Sequence, residues 1–85
     1  MKKNTIRNAL VRMLWSGRKN DYEVVVVDRL SPGGLRIISG RCIERVDPRY
    51  IHVRCPDDYE EVLIPLHRVV SIRRGGEVEW SRYRS

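Results

Sequence analysis

The C-terminal third of the chain carries a strand–turn–strand pattern that constrains the fold more than any other segment. Residues 69–72 form a largely β-branched apolar run, and Val78 and Trp80 alternate with polar residues shortly afterwards. Between them lies Gly75-Gly76, a pair that adopts positive φ angles without strain and therefore favours a tight turn. The segment predicts an antiparallel β-hairpin.

Basic side chains lie at the open end of this predicted hairpin. His67 and Arg68 follow Pro65, which has a fixed φ angle and no backbone amide donor. Adjacent residues of a regular strand point to opposite faces of a sheet. His67 and Arg68 can therefore share one ligand only if the Pro65-Leu66 segment forms a turn or bulge, which the proline permits.

The rest of the chain predicts one helix and several strands. Apolar residues at positions 6, 9, 10, 13 and 14 follow the spacing of one helix face, Asn4 or Thr5 can cap this helix, and Gly17 ends it. Residues 22–27 predict a central strand with valines on both faces. Further strands are predicted over 35–43, with a bend at Gly40, over 50–55 and over 60–64.

This order of elements predicts a single α+β domain over residues 1–85. We expect the N-terminal helix to pack on a strongly curved antiparallel sheet, or on a small SH3-like or Sm-like barrel, of about five strands. An open meander covered by the helix is the alternative. A domain of this size leaves only a shallow surface for ligands, which argues against a large enzymatic cleft.

Composition favours an anionic partner. The chain has a net charge of +6, and 14 of its 17 basic residues are arginines. Planar guanidinium groups can grip phosphate with two hydrogen bonds or stack on a base, which favours nucleic-acid binding. The alternative is a surface network of ion pairs that binds nothing. Basic residues interrupt every N-terminal apolar run, so neither a signal peptide nor a membrane span is expected, and we predict a cytoplasmic protein.

The motif around the hairpin resembles that of a small, mostly archaeal family, the RNA cyclic group end recognition domain. The matching residues are Ile64, Pro65, His67, Arg68, Val69, Gly76 and Trp80. The resemblance extends to the first half of the chain through Leu14-Trp15, Asp21-Tyr22 and Asp28-Arg29. The sequence departs from the family pattern at Leu66, where an aromatic residue is expected, and at Leu30-Ser31-Pro32, where a glycine is expected directly after Arg29.

The resemblance implies an RNA-binding module that recognises phosphorylated ends, either a 2′,3′-cyclic phosphate or a 3′-phosphate. Single-stranded or terminal RNA is the expected partner, and an RNA ligase, nuclease or phosphoesterase is a candidate partner enzyme. Arg29, His67 and Arg68 are expected to form one anion site, because one bidentate arginine and one imidazole donor would satisfy a cyclic phosphate. Tyr22 and Arg82 are further candidates for contact with RNA or phosphate.

The sequence also gives expectations for the tryptophans, the cysteines, cofactors and catalysis. Trp15 and Trp80 are expected in the core. Cys42 and Cys55 are expected to be buried as small hydrophobic residues, with a disulfide between adjacent strands as the alternative. We expect no metal, no cofactor and no catalysis.

Two functional alternatives also remain. The first is a phosphoesterase in which His52 and His67 converge as acid and base. The second is an Sm-like protein-interaction module. The sequence leaves the oligomeric state open.

Overall fold

The computed structural model describes residues 5–57 and 59–82, which form one helix and seven strands. The elements are α1 (Ile6–Trp15), β1 (Tyr22–Val27), β2 (Leu35–Ser39), β3 (Ile43–Val46), β4 (Tyr50–Val53), β5 (Val62–Pro65), β6 (Val69–Arg74) and β7 (Glu77–Ser81). No helix among the described residues is long and apolar enough to cross a membrane.

The strands form two antiparallel sheets. The first has the order β2-β1-β6-β7 and the second has the order β3-β4-β5. The predicted α+β class and N-terminal helix are confirmed, and β1 is central to its sheet, as expected. The prediction of one sheet or barrel with about five strands needs correction, because seven described strands divide between two sheets and a closed barrel is not indicated.

Two short 3₁₀ turns explain this division. Gly40–Cys42 leads from β2 in the first sheet to β3 in the second, and Leu66–Arg68 leads from β5 back to β6. A side chain at Gly40 would overlap the backbone carbonyl oxygen of Lys19, so only glycine allows this close approach. The bend predicted at Gly40 is therefore the point where the chain changes sheet.

The hydrophobic core joins the helix to both sheets. Leu10 and Met13 of α1 are almost completely buried, together with Val24, Ile51 and Ile72 from three different strands. The helix contacts β3 of the second sheet and β6 and β7 of the first. One face of the helix thus closes the core between the two sheets, as its apolar spacing predicts.

Local signals in the sequence locate the helix and the hairpin. The Thr5 hydroxyl accepts a hydrogen bond from the Asn8 amide at 3.2 Å and caps α1. Gly17 beyond the helix has a φ of 75°. The β6–β7 hairpin turns at Gly75 and Gly76, with φ angles of 57° and 89°. Positive φ at both central residues is the requirement that explains the glycine pair.

Two assignments differ from the sequence expectation. Cys42 and Cys55 form a disulfide, with 4.2 Å between their Cα atoms, so the less favoured alternative is correct. The pairing of Ile43 with Val53 brings the two cysteines together at the end of β3 and β4. Trp15 is 84% exposed at the end of α1, whereas Trp80 is partly buried against the core. The prediction of a buried Trp15 is therefore wrong.

Candidate nucleic-acid interface

The turn between the two sheets presents the motif residues. Pro65 has a φ of −59° and precedes the 3₁₀ turn Leu66–Arg68. Leu66 is buried and anchors this turn in the core, whereas His67 and Arg68 are exposed. The turn that the sequence requires for a shared ligand is thus present. Because Leu66 points into the core, it provides no stacking surface.

A cleft of about 540 Å³ lies beside this turn. It is lined by Val27, Asp28, Arg29, Leu30, His67 and Arg68, and we call it the Arg29 cleft. Arg29 lies in the loop after β1, and β1 pairs with β6 directly beyond the turn. The fold therefore brings Arg29, His67 and Arg68 to one cleft, although nearly forty residues separate Arg29 from the other two.

Asp28 shapes the loop that carries Arg29. One carboxylate oxygen accepts the Leu30 amide and the other accepts the Ser31 hydroxyl, each at 3.0 Å. The Leu30 hydrogen bond is the main reason that the pKa of Asp28 lies below its ordinary value, and the positive charges of Arg36 and Arg68 lower it further. Asp28 is therefore ionised at neutral pH, and it adds a fixed negative charge to the wall of the Arg29 cleft.

The basic side chains of the cleft make no close ion pair among the described residues, although the charges of Arg68 and Asp28 act on each other. No ion pair within 4.0 Å involves the guanidinium of Arg29 or Arg68 or the imidazole of His67 in this part of the chain. Elsewhere, Arg54 pairs with Glu44 at 2.9 Å and Arg73 lies 3.6 Å from Glu23. The positive charge of the cleft is therefore available to a ligand.

Arg82 donates hydrogen bonds to the backbone of the turn that carries His67 and of the strand that follows it. Its Nη2 donates to the His67 carbonyl at 2.8 Å, and its Nε donates to the Val69 carbonyl at 3.1 Å. The Arg82 guanidinium also lies 6.0 Å from the centre of the Trp80 ring. These contacts make Arg82 a residue that positions His67, and they leave its remaining guanidinium donors for other partners.

Tyr22 is not part of the Arg29 cleft. It lies at the first position of β1, whereas Arg29 follows the last, and it is 7% exposed within the core. The Arg74 guanidinium lies 5.7 Å from the centre of its ring. Of the five residues predicted to bind RNA, three line one cleft, Arg82 lies behind the turn and Tyr22 lies at the opposite end of the strand.

The second histidine has a different environment. His52 is buried in β4, with Nε2 at 2.7 Å from a carboxylate oxygen of Asp47 and Nδ1 at 3.1 Å from one of Glu61. The Asp47 hydrogen bond raises the pKa of His52 despite the opposing effect of burial. The same hydrogen bond is the main cause of the Asp47 pKa of about 2. Both nitrogens of His52 are thus engaged with carboxylates.

The predicted alternative of a His52–His67 acid–base pair receives no geometric support. His67 lines two cavities, and His52 belongs to neither of them. Among the described residues, no group of three histidine, cysteine or acidic side chains is placed to hold a metal ion. The Arg29 cleft presents guanidinium and imidazole groups, which are suited to binding an anion.

Fold and site define a small α+β domain with an arginine-lined cleft beside the turn between its two sheets. Residues 1–82 match the model of the MJ1316 RNA cyclic group end recognition domain, and the chain belongs to this family. The resemblance inferred from the motif is confirmed.

Relatives in archaea span nearly the same length. A UPF0248 protein of Metallosphaera sedula is 46% identical over 79 residues, which cover 92% of each chain. A UPF0248 protein of Saccharolobus islandicus is 36% identical over 81 residues, which cover 91% of this chain and 98% of the relative. No solved structure is significantly similar to the chain.

Proposed function

We propose that the protein binds the phosphorylated end of an RNA strand in the Arg29 cleft. The observation that carries this proposal is the convergence of Arg29, His67 and Arg68 on one cleft without an ion pair within 4.0 Å among the described residues. Two guanidinium groups can hold the non-bridging oxygens of a terminal phosphate, and the imidazole can donate a further hydrogen bond. The family description points to the same class of ligand.

Asp28 limits the preference of the cleft for the more highly charged of the two phosphate ends. Arg29 and Arg68 contribute two positive charges and Asp28 contributes one negative charge, which leaves one net positive charge when His67 is neutral. A 2′,3′-cyclic phosphate carries one negative charge, whereas a terminal monophosphate carries about 1.5 to 2 at neutral pH. The fixed Asp28 carboxylate repels the additional charge and so reduces the electrostatic advantage of the open phosphate. The family description is what favours the cyclic end.

The proposed activity is recognition without turnover. Ring opening of a cyclic phosphate requires a general base and a general acid. Among the described residues, the lining of the Arg29 cleft contains one histidine and one carboxylate, Asp28, which already accepts two hydrogen bonds. A protein that holds such an end would act beside an enzyme that produces or consumes it, such as a nuclease, an RNA ligase or a phosphoesterase.

The test compares one short RNA with three different ends: 2′,3′-cyclic phosphate, 3′-phosphate and 3′-hydroxyl. The wild type should bind the cyclic end most tightly. Arg29→Ala and Arg68→Ala should each weaken binding of this end about 10- to 100-fold, as expected for the loss of a contact worth about 1.5–3 kcal/mol. Arg12→Ala removes an exposed charge from α1 and serves as the matched control. Equal wild-type affinity for all three ends would overturn the proposal.

Two further arms of the experiment address selectivity and turnover. Asp28→Asn keeps an oxygen acceptor for the loop but removes the charge, so it should improve binding of the 3′-phosphate more than binding of the cyclic end. Prolonged incubation should leave the cyclic end intact. If the wild type opened the ring and His67→Ala did not, the proposed recognition role would be replaced by a catalytic one.

A further inference from the structure

A second cleft, of about 580 Å³, adjoins the Arg29 cleft at His67. Its lining includes Arg7, Arg49, Tyr50, Pro65, His67 and Arg82, and we call it the Tyr50 cleft. His67 lines both clefts because the 3₁₀ turn that carries it stands between them. A ligand in the Arg29 cleft can therefore continue past His67 into the Tyr50 cleft.

The charge of the Tyr50 cleft is entirely positive. Within residues 5–57 and 59–82, its lining contains three arginines and no carboxylate. Arg82 is partly committed to the carbonyls of His67 and Val69. Arg7 and Arg49 are exposed, and neither guanidinium pairs with a carboxylate in the described part of the chain. Two guanidinium groups thus remain to neutralise the phosphate of a nucleic-acid backbone.

The same cleft offers an aromatic side chain on a fixed backbone. Tyr50 is 38% exposed, and its backbone amide donates to the Asp47 carboxylate at 2.7 Å. Its strand position is paired with Pro65, and the Leu66 amide donates to the Arg49 carbonyl at 3.0 Å. The lining also contains the apolar side chains of Ile6, Pro48 and Pro65. An aromatic ring beside apolar side chains suits the face of a nucleobase.

We propose that the Tyr50 cleft binds the nucleotide that precedes the terminal one in single-stranded RNA. Tyr50 stacks on the base of this penultimate nucleotide, and Arg7 and Arg49 contact its phosphate. His67 lies at the linkage between the two nucleotides. This inference rests on the proposed function, because it assumes that the terminal phosphate occupies the Arg29 cleft. The recognised ligand is then an unpaired end of at least two nucleotides.

The test varies the length of the ligand with the cyclic end held constant. Wild-type protein is titrated with a nucleoside 2′,3′-cyclic phosphate and with a 5′-phosphorylated dinucleotide that carries the same end. The dinucleotide should bind at least about five-fold more tightly, which corresponds to a stacking contact at the low end of its usual range. Arg49→Ala should reduce the gain, because it removes one of the two phosphate contacts, and it should leave the affinity of the mononucleotide unchanged. Arg12→Ala should preserve the gain.

A dinucleotide without its penultimate base isolates the contribution of Tyr50. Wild type and Tyr50→Phe should both bind the abasic ligand less tightly than the complete one, because each has an aromatic ring on which the base can stack. Tyr50→Ala should bind the complete and the abasic ligand equally. If Tyr50 had only a structural role, Tyr50→Ala would weaken the binding of the complete and the abasic ligand by the same factor, and the two affinities would still differ. That result would overturn the assignment of Tyr50 as the stacking partner.

The outcomes separate this inference from the proposed function. If mononucleotide and dinucleotide bind equally to the wild type while the preference for the cyclic end persists, the second subsite is wrong and the proposed function stands. If affinity rises with length but the chemistry of the end has no effect, the proposed function fails, and with it the assignment of this cleft to the penultimate nucleotide.

Discussion

The two histidines have opposite environments, and this difference determines what each can do. His67 is exposed between two cationic clefts and makes no side-chain hydrogen bond to a described residue. His52 is buried, and both of its ring nitrogens contact carboxylates. Through these two contacts, His52 links the turn at Asp47 to Glu61, the residue that precedes β5. His52 is therefore a structural residue, and His67 is the one that can meet a ligand.

The His52 contacts predict a pH-dependent stability. The pKa of His52 is raised above 6.5 in the folded protein, chiefly by Asp47 and further by Glu61, while burial and Arg45 oppose the rise. The ion pairs therefore stabilise the fold fully below the unfolded pKa of about 6.5, and this contribution is lost as pH rises through the folded pKa. Urea unfolding at about pH 6 and about pH 8.5 should show lower stability at the higher pH.

A matched pair of variants identifies the source of this change. His52→Asn should abolish the decrease, because asparagine does not titrate. His67→Ala should retain it, because His67 has no ion pair with a described carboxylate. A decrease of equal size in His52→Asn would contradict the assignment.

Some of the candidate site residues could be predicted from the sequence, and others could not. The hairpin pattern and Pro65 drew attention to His67 and Arg68, and the resemblance to the family added Arg29. Asp28 and Tyr50, to which the proposals assign roles, were not singled out, because those roles depend on the loop and cleft around them. Asp28 before a Ser-Pro-Gly-Gly turn could have been recognised as a loop-stabilising residue. Trp15 was expected in the core because large aromatic residues are usually buried, but it lies at the end of α1 outside the apolar face and is exposed.

At the scale of elements, the sequence pattern predicted those helices and strands that are determined by interactions between near neighbours in the chain. The helix, the central strand β1 and the β6–β7 hairpin were predicted because capping, alternation and paired glycines act over a few residues. The division into two sheets was not predicted. It depends on two 3₁₀ turns, Gly40–Cys42 and Leu66–Arg68, that resemble continuing strands in their apolar pattern. Only tertiary packing distinguishes such a turn from a bend within one sheet.

The disulfide should stabilise the second sheet. It joins Cys42 and Cys55 across 13 positions of sequence, and closing a loop of this length typically contributes about 3 kcal/mol by restricting the unfolded chain. Reduction of the wild type should therefore lower the free energy of unfolding by about 2–4 kcal/mol without changing the volume of the core. Denaturant titrations of the oxidised and reduced protein measure this difference. Coincident unfolding midpoints would show that the link does not constrain the unfolded state.

At the scale of the whole molecule, the distribution of charge is more informative than its sum. The net charge of +6 would also fit a surface covered with ion pairs. Arg54 and Arg73 do lie next to glutamates, but the arginines of the two clefts have no carboxylate partner in the region that the structure describes, apart from the nearby charge of Asp28. Positive charge is thus concentrated around the turn that carries His67. Such a concentration attracts a phosphate backbone and orients it toward the cleft.

Backbone amide spectra from NMR test the central claim most directly, because they report where a ligand binds as well as whether it binds. Uniformly labelled wild type would be titrated with a dinucleotide that ends in a 2′,3′-cyclic phosphate, and separately with the same dinucleotide ending in hydroxyl groups. We expect the cyclic end to shift the amides of residues 28–30 and 66–68, and the hydroxyl end to shift them far less. Equal shifts for both ligands, or shifts confined to Tyr22 and Arg74 at the opposite end of the sheet, would contradict recognition of the cyclic end in the Arg29 cleft.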